Sequence, residues 1–189
     1  MSTPMYVPAF FVKQKFAMTT NRYEVWAANP DGSFGQLMAV AQQKRLAFKE
    51  EVTFYTDESK SRAVFSFKAR KKIDLNAGYD VLDENGQQLG FFRKDFGKSL
   101  LRSTFHLEGP GYQGVGQERS SFVAILRRFS NIPFLPIHFD FTSSQGATLV
   151  QVERQSSVRD KYTVTVPDQA VDFRVAAAVA VGLDALMQR

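Results

Sequence analysis

Apolar and polar positions alternate along most of the chain up to about residue 166, the period of strands with one buried face. Ala9 to Met18 sets Phe10, Val12, Gln14 and Phe16 on one side and Phe11, Lys13 and Lys15 on the other. Arg62 to Lys72 repeats the pattern, with Phe65, Phe67, Ala69 and Lys71 opposing Ser66, Lys68, Arg70 and Lys72. Further strands are predicted over Arg22–Ala28, Val52–Thr56, Gly78–Asp83, Gln88–Arg93, Ser103–Glu108, Ile137–Phe141, Thr148–Arg154 and Lys161–Val166. Glycine-containing turns, Asn29-Pro30-Asp31-Gly32, Asp83-Glu84-Asn85-Gly86 and Ser143-Ser144-Gln145-Gly146, join several of them. Two short segments, Gln42–Glu50 and Phe122–Phe129, read as helix, and the glycine-rich Gly109–Gly116 reads as a wide loop.

An internal echo runs through this pattern. Tyr23-Glu24-Val25, Tyr79-Asp80-Val81 and Phe139-Asp140-Phe141 are each followed by a glycine turn and a returning strand beginning near a leucine. In the second and third units the glycine lies seven residues after the aromatic, and the leucine three further on. Repeated hairpins of this kind suit a closed barrel or sandwich built by duplication.

The last segment breaks the alternation. Beyond Pro167 and Asp168, a candidate N-cap, Val171 to Met187 is rich in Ala and Val and carries charge only at Asp172, Arg174 and Asp184. A helix apolar on all sides must be enclosed. Its uncharged stretch, Val175 to Leu183, is about half the ~18 residues that would point to a membrane span. Small side chains keep it slim. The prediction is a mostly β protein, a closed antiparallel barrel enclosing its own hydrophobic C-terminal helix. Residues 1–189 form one domain and 168–187 its central helix.

Composition narrows the chemistry. The 189 residues include no Cys, which rules out disulfides, iron–sulfur clusters, Cys-ligated zinc and a thiol nucleophile. No basic-then-apolar leader opens the chain, so a cytoplasmic location is expected. Net charge is +5, from 24 Lys and Arg against 19 Asp and Glu, which permits an anionic partner without demanding one. Basic clusters at Lys13/Lys15, Lys44-Arg45, Lys68 to Lys72, Arg93-Lys94 and Arg127-Arg128 read first as solvated faces. No RNA-binding aromatic motif or helix-turn-helix spacing accompanies them, so no nucleic-acid partner is expected.

Catalytic constellations are not evident. His106 and His138 each sit in an alternating strand, where a structural histidine is the simpler reading. No His spacing suits zinc, and Asp83-Glu84-Asn85-Gly86 reads as a turn rather than a calcium loop. The glycine-rich stretch lacks the Lys-Ser/Thr ending of a phosphate loop, and no Gly-x-Ser-x-Gly elbow occurs. Neither cofactor nor metal is expected. Ile132-Pro133-Phe134-Leu135-Pro136-Ile137, following Arg127-Arg128, reads either as a barrel-closing strand entry or as an exposed apolar tip beside positive charge.

The chain resembles the tubby C-terminal-like superfamily, within it the LURP-one-related and phospholipid-scramblase-like branch. The resemblance rests on Phe67-Lys68-Ala69-Arg70-Lys71-Lys72-Ile73 leading into Tyr79-Asp80-Val81-Leu82-Asp83-Glu84-Asn85-Gly86, then Gln88-Leu89-Gly90-Phe91-Phe92-Arg93-Lys94. Leu100 to Phe105, the opening Phe11 to Phe16 and the ending Val171 to Leu186 extend it to both ends of the chain. It implies a barrel around a hydrophobic helix, no enzymatic activity and association with membrane phospholipid. Tubby-type members bind phosphoinositide headgroups through Lys and Arg on neighbouring strands. Matched onto this chain, the implied headgroup residues are Lys68, Arg70 and Lys72, which share one strand face at ~7 Å spacing, with Arg93 and Lys94 on the return. The expected function is a non-catalytic, peripheral membrane module that binds anionic phospholipid or phosphoinositide. A protein–protein scaffold using the same strands is the alternative, and a lipocalin-type ligand barrel conflicts with a helix-filled interior.

Overall fold

A computed structural model describes residues 4–16, 20–44, 51–70, 78–95, 103–120, 137–154 and 161–187. Among the described residues there are twelve strands and one helix. In chain order they are β1 (Ala9–Phe16), β2 (Thr20–Ala28), β3 (Phe34–Lys44), β4 (Glu51–Tyr55), β5 (Ala63–Ala69) and β6 (Tyr79–Asp83). Then come β7 (Gln88–Asp95), β8 (Thr104–Gly109), β9 (Tyr112–Glu118), β10 (Ile137–Ser143), β11 (Thr148–Arg154), β12 (Lys161–Thr165) and the helix α1 (Phe173–Met187). Each strand pairs with its neighbours in sequence, and β1 pairs antiparallel with β12, so the sheet closes with no free edge.

The echo in the sequence is an echo in structure. At the β2–β3, β6–β7 and β10–β11 turns the glycine N–H donates to the carbonyl three residues earlier, Gly32 to Asn29, Gly86 to Asp83 and Gly146 to Ser143. The first residue of each turn donates back, to Ser33, Gln87 and Ala147 respectively. The three glycines hold φ of 77°, 80° and 82°, which an L-residue adopts only with strain.

Inward positions carry the large aromatics, among them Phe10, Phe54, Phe65, Phe67, Phe92, Phe105, Phe139 and Phe141, all buried. Their rings meet edge-on, tilted or stacked, and Phe54 stacks on Phe65 at 4.1 Å between centroids. They surround α1, which is buried from Phe173 to Asp184 and at Leu186.

Strand β7 runs alongside the helix in a reciprocal fit. A methyl group on Gly90 would lie 3.0 Å from a Val175 methyl, and one on Gly182 would lie 2.6 Å from the Phe92 ring. Each glycine gives way to a large side chain across the contact. Further along, the Lys94 ammonium donates to the Leu186 carbonyl at 3.0 Å and satisfies an otherwise orphaned group at the helix C-terminus.

The helix start is tied down by charge. Asp172, not Asp168, is the N-cap: its Oδ1 accepts from the Arg174 backbone N–H at 2.9 Å. Its carboxylate also takes two bonds from the Arg174 guanidinium, at 3.0 and 2.7 Å, and one from the Met5 N–H at 3.0 Å. The Met5 carbonyl accepts from Phe173 N–H, so the N-terminal segment is stitched across the helix start. Asp168 instead closes the turn before it, accepting from Ala170 N–H.

Ten predicted strands are present, with ends shifted by a few residues. Two further strands occur. β9 occupies most of the glycine-rich stretch read as a loop. Its inward positions include Gly114 and Gly116, where a methyl group would strike Leu149 and the Phe141 ring, so neighbouring side chains fill the space. β3 extends through Gln42 to Lys44, where helix was predicted, and residues 45–50 lie outside the described residues, as does Phe122–Phe129. Register shifts in the β2–β3 pair break the period-two pattern that would have revealed this strand.

Candidate functional site

With α1 in the lumen, Lys68, Arg70 and Arg93 lie on the outer wall of the barrel. Lys68 points outward from β5 and is exposed, with Glu51 of β4 and Asp80 of β6 as its register partners. Arg70, just past β5, donates from Nε and Nη2 to Asp80 Oδ1 at 2.9 and 2.7 Å. Its guanidinium stacks 3.9 Å over the Phe91 ring, and the Asp80 hydrogen bond raises its already high pKa. Arg70, Gln88, Phe91, Glu108 and Pro110 border a shallow groove of about 270 Å³. Arg93 projects from β7 opposite His106, whose Nε2 lies 3.3 Å from Asp95. Lys94, next in sequence, faces the other way, toward the helix end. Lys72 lies outside the described residues. The sequence-predicted cations therefore divide: Lys68, Arg70 and Arg93 share an outer face interleaved with acids, and Lys94 serves the core.

A second Arg–Asp pair repeats the first. Arg119 follows β9 as Arg70 follows β5, and it donates two bonds to Asp140, at 2.8 and 2.7 Å. The backbones match as well: Arg70 N–H donates to Gly78 O and Arg119 N–H to His138 O, each acceptor one residue before the aromatic of the repeat. The Arg119 hydrogen bonds hold the Asp140 carboxyl below its ordinary range against partial burial, with Gln151 adding to the effect. Glu153 completes this cluster, 3.2 Å from Arg119 and 3.6 Å from His138 Nδ1. In the first repeat the acidic residue, Glu24, is buried. Burial pushes its carboxyl up, but Lys15, the Trp26 indole and Arg22 together outweigh that and lower it.

Inside the barrel, near the C-terminus of α1, Asp184 is buried and accepts from the Tyr23 hydroxyl at 3.1 Å and from the Tyr162 hydroxyl. Arg154 donates to Tyr162 Oη at 3.2 Å. Burial, reinforced by Asp184, pushes the Tyr162 hydroxyl pKa well up. The network anchors the helix end. Among the described residues, no three His, Asp or Glu side chains gather where they could hold a metal ion.

Sequence reasoning passed over a different part of the wall. Phe11, Trp26 and Phe34 form an outward cluster on β1, β2 and β3, with ring centroids 4.9 Å apart for Phe11–Phe34 and 5.9 Å for Trp26–Phe34. Lys161 of β12 lies over it, its ammonium 3.8 Å from the Phe11 centroid and 5.0 Å from that of Phe34. The available signal was Phe10-Phe11: adjacent strand residues face opposite ways, so one of the two must leave the core. The apolar run 132–136 lies outside the described residues, and Ile137 begins β10.

The described residues form a twelve-strand barrel closed around a C-terminal helix. The LURP-one-related family profile matches residues 37–184, and the chain belongs to that family. No curated protein matches it. Among the described residues, no helix is long and apolar enough to cross a membrane.

Proposed function

We propose that this LURP-one-related chain is a non-catalytic module of the tubby-like superfamily that binds anionic phospholipid headgroups at a membrane surface. In this reading residues 1–189 act as one domain, on the cytoplasmic side and peripheral to the bilayer. The observation that carries the reading is the filled lumen. Among the described residues the helix is buried from Phe173 to Asp184 and occupies the lumen that a lipocalin-type ligand would need, which favours binding on the outer wall, where the basic side chains are. Lys68, Arg70 and Arg93 are the first candidates for headgroup contact. Co-sedimentation with phosphatidylcholine vesicles, with and without phosphatidylserine or a phosphoinositide, tests it. Binding that requires the anionic lipid and weakens steeply with salt is expected. Failure to sediment at low salt would overturn the reading.

One observation favours a second reading. Lys68 sits between Glu51 and Asp80, and Arg70 is engaged by Asp80, so the β5–β7 face is a mosaic of both signs. Such a face suits a protein partner better than a uniformly anionic surface. Salt-insensitive capture of a partner through this face, with no vesicle binding, would identify it.

A further inference from the structure

We infer that the wall made by β12, β1, β2 and β3 is the face laid on an anionic bilayer, with Lys13 and Lys161 on the headgroup phosphates and the Phe11–Trp26–Phe34 cluster seated in the interface beside them. This rests on the lipid-surface reading above and names its face.

Lys13 and Lys161 are register partners between β1 and β12. Like charges directly across a strand pair repel, so the arrangement is unfavourable unless an anion joins them. Neither ammonium has a carboxylate within ion-pair distance among the described residues, and Lys161 is held instead by aromatic faces. Glu24, opposite Lys13 on β2, is already engaged by Lys15 at 2.7 Å, Arg22 at 2.8 Å and the Trp26 indole N–H at 3.2 Å. The contrast with Arg70 and Arg119, each locked to an aspartate, singles out this lysine pair.

The aromatic cluster supplies the apolar half of the contact. Outward positions of an antiparallel sheet facing water are normally polar. Here Phe34 is 42% exposed and shields Phe11, which is 4% exposed. A tryptophan and two phenylalanines beside lysines have the composition of an interfacial anchor. The geometry also separates this face from the earlier candidate. In a closed ring of twelve strands, β1 and β7 are six strands apart in either direction, so both walls cannot rest on one flat surface.

Trp26 is the only tryptophan in the chain, which makes the wall its own reporter. The test is Trp26 fluorescence of the full chain with phosphatidylcholine vesicles, with vesicles also containing phosphatidylserine, and with the latter carrying brominated acyl chains, alongside co-sedimentation. We expect a blue shift with the anionic vesicles, quenching by the brominated chains and neither effect with phosphatidylcholine alone. The Lys13→Ala/Lys161→Ala variant should partition roughly thirty-fold more weakly, from two surface lysines. Weakened partitioning of Lys68→Ala/Arg70→Ala, with that of the Lys13/Lys161 variant unchanged, would instead place the contact on the β5–β7 face. Sedimentation with anionic vesicles while Trp26 stays unquenched, or unchanged partitioning of the Lys13/Lys161 variant, would overturn this assignment and leave the lipid reading standing. No sedimentation of the wild type would overturn both. The wild-type quenching result depends on no variant's stability.

Discussion

Gly182, in the middle of the enclosed helix, lies so close to Phe92 of β7 that a methyl group there would sit 2.6 Å from the ring. Glycine is unfavourable inside a helix by roughly 1 kcal/mol relative to alanine, so on propensity alone alanine would stabilise this one. The fit against a buried ring reverses the sign. Gly182→Ala is expected to destabilise the protein by about 1–3 kcal/mol, as overpacking does. Urea unfolding measures it, and a stabilised variant would show that the helix and β7 are less tightly apposed.

Arg174 is 4% exposed, and its charge is balanced by Asp172, with Glu84 farther off at 3.7 Å. Asp172→Ala removes the cap and strands a buried guanidinium, with an expected loss of roughly 3–5 kcal/mol. Adding Arg174→Met should recover much of that, because no unpaired charge then remains. Comparing the unfolding midpoints of single and double variants checks both statements.

Lys94 was attractive in the sequence as a headgroup ligand beside Arg93. Its bond to the Leu186 carbonyl makes it a brace for the helix C-terminus. Lys94→Met should lower stability by about 0.5–1 kcal/mol and leave vesicle partitioning unchanged. The opposite pattern, normal stability with weakened binding, would return Lys94 to the lipid face.

Acid should weaken the barrel at the third repeat. Arg119 holds the Asp140 carboxyl below its ordinary 3.8 in the folded state. The stabilisation it gives is therefore present above that value and lost as pH falls through the folded pKa. Asp140→Asn is expected to cost about 1 kcal/mol at neutral pH and to make the acid limb of a stability–pH profile shallower. An unchanged profile would mean that the pair contributes nothing.

The strands and the enclosed helix were legible because period two and an all-apolar run are local signals. β9 was not, because its core-facing positions at 114 and 116 are glycines whose space is filled by Leu149 and Phe141 from strands far along the chain. The N-cap was placed four residues early because both Asp168 and Asp172 suit the role by type. The contact with Met5 that accompanies the true cap joins residues 167 apart. The surroundings of the candidate site were hidden for a similar reason. Cations could be counted along the sequence, but the Arg70–Asp80 pairing, the inward turn of Lys94 and the Lys13–Lys161 opposition all depend on strand register.

In the proposed reading the helix stays inside the barrel and leaves recognition to the outer wall. Amide hydrogen exchange of the intact chain tests whether it does. Amides of Val175 to Leu183 should exchange only through global unfolding, as slowly as those of the slowest strands. Helix amides that exchange well before the strands would contradict it, because the helix would then leave the lumen in the folded protein and the interior would become the surface to search.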